Sequence, residues 1–225
     1  MRVDLHVHTI HSRDEKFGNI IDAFNTHEDI RRRTKEEGLD GVAITDHNTI
    51  KGALRFSNYL SQYMAVIIGE EIVTKSCDVI ALGLDTEIKP GLSLEETFDL
   101  IKKYNGIIVA DHPFLNFLFF KGIGGEAIKR YRNKIDAVEV LNPSCSTKQN
   151  ILAYDIANKL RMSKVAGSDA HFPSEIGLAY TIVDADSEVI EIVHAIKRGE
   201  AVPFGKPMPW RLRLERERLR FRRKL

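Results

Sequence analysis

Apolar residues recur along this chain in short β-branched runs, and these alternate with longer stretches whose apolar positions have helical spacing. Residues 2 to 8 alternate strictly: Val3, Leu5 and Val7 are interleaved with Asp4, His6 and His8. As a strand, that segment sends the apolar three to one face and the polar three to the other. Further strands are predicted at 41–45, 65–73, 78–84, 107–111, 135–141, 164–168 and 180–183. Helices are predicted between them. The first covers 20–37, with Ile20, Ile21, Phe24 and Ile30 against a charged run and Gly38 as its stop. Others span 49–62, 93–104 (opened by Ser93 with Glu96 as a capping box), 124–133 and 147–161, and a last one runs from a Ser187 cap to Arg198 before Gly199. This succession of βα units predicts a parallel sheet, either a closed barrel or an open doubly wound one.

The polar residues at the strand ends decide between the two. Five of the eight histidines stand in acidic-histidine clusters: Asp4-Leu5-His6-Val7-His8-Thr9, Thr45-Asp46-His47-Asn48, Asp111-His112-Pro113 and Gly167-Ser168-Asp169-Ala170-His171, with Gly69-Glu70-Glu71-Ile72 as an acidic companion. A barrel collects its site from the C-terminal ends of many strands, whereas an open sheet concentrates ligands at one switch point. Contributions from five strand ends favour the barrel.

At 225 residues the chain is long enough for one barrel domain, and no apolar run approaches the ~18–20 residues that span a bilayer. Two cysteines, Cys77 and Cys145, do not make a disulfide scaffold, so a reducing, cytoplasmic setting without a signal peptide is expected. The net charge of +1 conceals an asymmetry: residues 211–225 carry eight Lys/Arg against two Glu, which leaves the body acidic. That Arg-rich tail reads either as a solvated extension or as a surface for nucleic acid or an acidic partner, since clustered arginines attract phosphates.

Taken together, DLHVHT (4–9), TDHN (45–48), GEEI (69–72), DHP (111–113) and GSDAH (167–171), with EIGLAYT (175–181) after them, resemble the PHP (polymerase and histidinol phosphatase) family over about the first 200 residues. The resemblance implies a distorted (β/α)7 TIM-like barrel forming a single domain, here residues 1–205 with a basic tail at 206–225. It also implies two or three divalent ions, Zn, Mn or Fe, at the C-terminal strand ends. Matched motif by motif, the expected metal ligands are His6, His8, His47, Glu71 as the bridging carboxylate, His112, Asp169 and His171. Where many relatives have a Ser-Asp pair, this chain reads Ser12-Arg13-Asp14, so Asp14 is the candidate and His11 the alternative. Where many have Gly-His, it has Cys77-Asp78, and Asp78 stands in for that histidine. Asp46 is expected to orient His47, and Asp4 to orient His6 or His8.

Imidazoles with carboxylates suit Zn²⁺, Mn²⁺ or Fe²⁺. Two such ions can clamp the attacking and leaving oxygens of a phosphoryl transfer and activate water between them. The expected enzyme is therefore a hydrolase of phosphate esters, acting on phosphomonoesters such as histidinol phosphate or nucleotides, or on phosphodiester ends of nucleic acid. Asp169 would accept a proton, and Arg13 and Lys16 would neutralise substrate phosphate. An amidohydrolase-type hydrolase and a non-catalytic barrel that binds nucleic acid through its tail are the competing readings. His27 and His194 are read as structural, Cys77 as a small buried residue, and the apolar run 114–120 as core, substrate wall or subunit contact.

Overall fold

The structure, a computed structural model, describes residues 1–14, 20–117 and 120–222. The chain opens with β1 (Arg2–Val7) and a short ribbon of β2 (Arg13–Asp14) and β3 (Ile20–Ile21). Then come α1 (His27–Glu37), β4 (Gly41–Ile44), α2 (Lys51–Leu60), β5 (Ala65–Val73), β6 (Asp78–Leu82), α3 (Leu94–Lys103) and β7 (Ile107–Ala110). A second ribbon, β8 (Asn116–Phe117) and β9 (Phe120–Lys121), precedes α4 (Gly125–Tyr131), β10 (Ala137–Leu141), α5 (Thr147–Leu160) and β11 (Ser163–Ala166). The chain ends with β12 (Ala179–Val183), α6 (Val189–Arg198), β13 (Ala201–Gly205) and α7 (Trp210–Arg222). Among the described residues no helix is long and apolar enough to cross a membrane.

Three helix starts follow local chemistry. Ser93 with Glu96 and Ser146 with Gln149 form reciprocal capping boxes that satisfy the first free N–H groups of α3 and α5. The largest departure from the sequence reading is α1, which begins at His27 instead of residue 20. Thr26 and Asp29 form a capping box there, so the helix cannot extend backwards through an N-cap with extended backbone. The six residues before Thr26 run as ribbon and loop. Asn25 in that loop donates from Nδ2 to the carbonyls of His8 (2.8 Å) and Ala170 (2.9 Å), tying it across the top of the barrel. At α6 the N-cap is Glu188, without a side-chain cap bond, in place of the expected Ser187.

The main sheet has the order β11-β10-β7-β6-β5-β4-β1-β12-β13. It curls until β1 meets the chain leaving β11: Val7 and Ala170 form a parallel bridge, with His8 N donating to Ala170 O (3.1 Å) and Ala170 N to His6 O (3.3 Å). The seven strands from β11 to β1 thus form a nearly closed barrel. Pairings within it are parallel except at β6, which runs antiparallel to both β5 and β7. The short link between β5 and β6 is too brief for the crossover a parallel pair needs, so the two form a hairpin. β12 and β13 extend the edge beyond β1, also antiparallel.

One apolar cluster draws residues from all seven barrel strands: Val3 and Leu5, Ala43, Ile67, Ile80, Val109, Ala137 and Val165. It fills the barrel, and Ile192, Val193 and Ile196 of α6 pack against it. Two further clusters lie between the sheet and its outer helices, one under α3, α4 and α5 and one under α1 and α2. The interior is thus apolar up to the point where the histidines begin.

Candidate metal centre

β1 is bulged between Asp4 and Val7, and both His6 and His8 are fully buried. The backbone leaving β11 passes very close to His6. A Cβ on Gly167 would lie 2.4 Å from His6 Cβ, so only glycine permits that approach. Gly52 has a similar role on the other side, where a Cβ would fall 2.0 Å from an Asp46 carboxylate oxygen.

His6, His8, His47, Glu71, His112, Asp169 and His171 converge on one buried spot. Glu71 lies at its middle, with Oε1 3.1 Å from His112 Nε2 and Oε2 3.2 Å from His6 Nε2, 3.2 Å from His8 Nε2 and 3.3 Å from His47 Nδ1. Asp169 Oδ1 lies 3.7 Å from His6 Nε2, 3.5 Å from His8 Nε2 and 3.4 Å from His171 Nδ1. Three overlapping triads have ligating atoms close enough to share an ion: His6, Glu71 and His112; His6, His8 and Asp169; and His8, His47 and His171. Asp169 (φ 53°) and His112 (φ 24°) both hold left-handed backbone, which is strained for such residues and typical of functional sites.

The donor chemistry fits a cation. His6 Nδ1 lies 3.1 Å from Glu139 Oε1, and a carboxylate only accepts, so Nδ1 carries the proton. Once Nε2 gives up its proton, its lone pair is aimed at His8 Nε2, 3.1 Å away, and at the Glu71 carboxylate. Lone pairs converging in a buried space repel one another unless a positive charge joins them. Asp22 Oδ1, at the same cluster, also has no hydrogen-bond partner.

Two expected supports lie elsewhere. Asp46 accepts from Thr9 N and Thr9 Oγ1 (2.7 Å), and so pins the chain after His8 instead of orienting the His47 ring. Asp4 accepts from Ser168 N (2.8 Å) and Gly177 N (3.0 Å), joining β1 to the loops beyond β11 instead of touching an imidazole. Two carboxylates that the sequence reading missed hold those places. Glu139 of β10 bonds the His6 ring and also accepts from His112 N (2.8 Å). Asp22 Oδ2 lies 3.3 Å from His47 Nε2 and 3.6 Å from His171 Nε2. Glu139 did leave a signal, since a lone carboxylate inside the apolar run AVEVL is seldom buried without a partner. Asp22 was hidden by the helix reading of residues 20–37.

The remaining candidates divide. Asp78 is buried at the start of β6, close enough for its charge to act on both His47 and Asp111. Asp111 Oδ2 is 3.2 Å from His112 Nε2, which adds a carboxylate from the DHP motif. Arg13 is exposed on β2, and its charge falls on His11, whose ring packs edge-on against Phe56 at 5.4 Å. The Asp14 side chain and Lys16 lie outside the described residues, as do residues 118–119 of the apolar run. Phe114 packs on the cluster under α3, α4 and α5. His27 meets Phe56 and Tyr59 edge-on, and His194 is exposed on α6, so neither belongs to the cage.

The described part of the tail packs on the barrel instead of extending freely. Arg213 Nη2 donates to Pro143 O (3.2 Å), and Arg216 is buried against Ser144, His171 and Glu175.

Protonation sets how the cage competes for metal. Burial alone would lower the His6 imidazole, but the carboxylates of Glu139 and Asp169 outweigh it and hold it well above its usual range. Burial also opposes charge on His47 and His112, yet Glu71 and Asp22 lift the first to about 10, and Asp111 and Glu71 lift the second to about 10. The metal-free cage therefore holds protons at pH 7 that a divalent ion must displace. Metal affinity is expected to rise from pH 6 to pH 9, with proton release on binding. Calorimetry in buffers of different ionisation enthalpy measures that release, and a pH-independent affinity without it would contradict the arrangement.

Comparison with known proteins places this geometry. Residues 4–117 match the PHP domain model, and residues 147–201 match the model described as PHP-associated. An uncharacterized protein of Methanocaldococcus jannaschii is 36% identical over 145 residues, covering 63% of this chain and 82% of that protein. A Caldicellulosiruptor saccharolyticus protein named "Probable phosphatase" is 28% identical over 208 residues, covering 78% of this chain and 82% of that one. Among solved structures, a Bacteroides vulgatus protein described as "a two-domain protein containing predicted PHP-like metal-dependent phosphoesterase" superposes with a TM-score of 0.72. It is 16% identical and covers 91% of this chain, which spans 64% of its length. Five motifs converging on one buried cage and a domain match over half the sequence lead to the same conclusion: this chain belongs to the PHP family.

Proposed function

We propose that the protein is a metal-dependent phosphoesterase whose ions are held by the cage around Glu71. The observation that carries this reading is the convergence of the His6 Nε2 lone pair, His8 Nε2 and the Glu71 carboxylate within 3.1–3.2 Å of one another. The names of the Caldicellulosiruptor and Bacteroides proteins support the same bond class. We assign His6, Glu71 and His112 to one ion, and His8, His47 and His171 with Asp22 to another. The triad of His6, His8 and Asp169 links the two. Imidazole with carboxylate favours Zn²⁺, Mn²⁺ or Fe²⁺. Bound ions of this kind supply Lewis acidity to a phosphoryl oxygen and to water.

The chain's own residues do the rest. Asp169 carries a free carboxylate: burial would raise it, but His6, His8 and His171 hold it well below the usual carboxylate range. It thus faces the site as an anion, in place to take a proton from an attacking water. Glu139 fixes the His6 tautomer from behind and, through the His112 backbone, sets the angle of a second imidazole. The apolar barrel filling beneath the cage keeps bulk water out from below. Arg13, exposed on the ribbon, is available to an incoming phosphate, and the outer arginines of α7, including Arg211 and Arg218, are available to a nucleic-acid phosphate.

The test is a substrate screen on protein whose metal content has been measured. Phosphomonoesters, a phosphodiester, a short single-stranded oligonucleotide and an amide are offered with Zn²⁺, Mn²⁺ or Fe²⁺. Hydrolysis of one phosphate-ester class, lost on chelation and restored by metal, is expected. Hydrolysis of the amide alone, or no stoichiometric metal uptake, would refute the proposal.

A further inference from the structure

Arg216 is only 8% exposed, which is unusual for the outer turns of a helix as basic as α7. It reaches inward over the loop after β10 to the wall of the cage. Nη1 donates to Ser144 Oγ (2.8 Å), Nη2 lies 3.1 Å from His171 Nδ1, and Nε stands 3.6 Å from Glu175 Oε1 without forming a hydrogen bond. Arg213, one helical turn earlier, clamps the helix to the same loop through Pro143 O.

The donors of this guanidinium are poorly used. His171 Nδ1 also lies 3.0 Å from the Asp169 carbonyl, which only accepts, so Nδ1–H is the form that makes that bond. A nitrogen that already carries a proton cannot accept from Arg216, and Nη2 is left facing a donor. Glu175 is the nearest carboxylate. Its Oε2 is taken by His171 N (2.8 Å) and Phe172 N (3.1 Å), and its Oε1 is too far away to close a bond. A buried cation with an unpartnered Nε and a misdirected Nη2 therefore lies against a histidine of the cage. Planar, forked donors of this kind match the paired oxygens of a phosphate. An oxyanion at the rim of the cage would satisfy both groups at once.

We propose that Arg216 is a substrate-binding residue, receiving non-bridging phosphate oxygens at the rim of the metal cage, with Ser144 positioning its guanidinium. This rests on the phosphoesterase reading. It assigns to the C-terminal helix, which lies beyond both stretches that match the family models, a part in substrate recognition. Arg13, by contrast, stays on the open ribbon.

The decisive measurement is inorganic-phosphate binding to the metal-loaded full chain, followed by calorimetry, with metal content checked in every sample. Arg216→Gln should weaken phosphate binding by about 10- to 100-fold, and Arg216→Lys should recover part of the loss, since the charge returns without the fork. On a chromogenic phosphate ester, KM should rise more than kcat falls. Glu175→Gln combined with Arg216→Gln removes both buried charges and serves as the folded control if the single variant is unstable. This double variant should still bind phosphate weakly. Wild-type phosphate affinity in the double variant, or in Arg216→Gln with its metal retained, would reduce Arg216 to a strut that holds α7. If the wild type binds phosphate through Arg216 yet hydrolyses no ester, the phosphate site stands and the phosphoesterase reading falls. If it hydrolyses esters with no dependence on Arg216, only this inference falls.

Discussion

Glu71→Gln should leave a folded barrel that retains at most one ion per chain and hydrolyses phosphate esters at least about 10³-fold more slowly, because metal-site groups act as a unit. One carboxylate serves four imidazoles, from β1, from the loop after β4 and from the loop after β7. An amide of the same shape is neutral and turns N–H donors toward lone pairs, so both neighbouring triads lose their shared anion together. Elemental analysis of the purified variant reads the stoichiometry directly, and circular dichroism reports whether the barrel has folded. Full metal occupancy in Glu71→Gln would show that the ions, if bound, sit elsewhere.

Asp169→Asn should separate proton transfer from metal holding. Asparagine tolerates the left-handed backbone at this position (φ 53°), so the loop keeps its path while the charge disappears. Glu71 meets four imidazoles with its two oxygens at 3.1–3.3 Å, whereas Asp169 meets three with one oxygen at 3.4–3.7 Å. Asp169→Asn should therefore keep more metal than Glu71→Gln while kcat falls about 10²- to 10⁴-fold. A kcat within threefold of wild type at full metal occupancy would remove Asp169 from the chemistry and leave it a ligand at most.

Local sequence carried the parts of this protein that local physics controls. Alternation in residues 2–8 predicted a strand with His6 and His8 on its polar side, and both histidines are buried at the cage. Ser93 and Glu96 stand three residues apart and form the capping box that this spacing predicts. The extents of β5 and α5 were legible for the same reason, because β-branched runs and helical periodicity act over one or two turns. The helix read over 20–37 failed on a competition at one position. Apolar spacing favoured extending it through Ile20 and Ile21, but the Thr26–Asp29 capping box, together with the bonds that Asn25 makes to His8 and Ala170, ends it at His27.

The orientation of the site residues had no local signal. Asp46 stands next to His47 and Asp4 two residues before His6, and that nearness suggested that they orient those rings, but Thr9 takes the Asp46 carboxylate and Ser168 and Gly177 take that of Asp4. Barrel closure instead brings Glu139 to His6, a partner 133 residues away, and brings Asp22 between His47 and His171. The same holds for Arg216, which reads in sequence as one arginine among many in a basic tail and reaches His171 only because α7 folds back over the loop after β10. Sequence by itself determined which residue types reach the strand ends and where the main barrel strands and the capped helices α3 and α5 begin, since periodicity and capping are properties of neighbouring residues. Only the tertiary structure decided which carboxylate faces which imidazole, because those pairings depend on strand order, on the tight passage at Gly167 and on the last contact that closes the barrel between Val7 and Ala170.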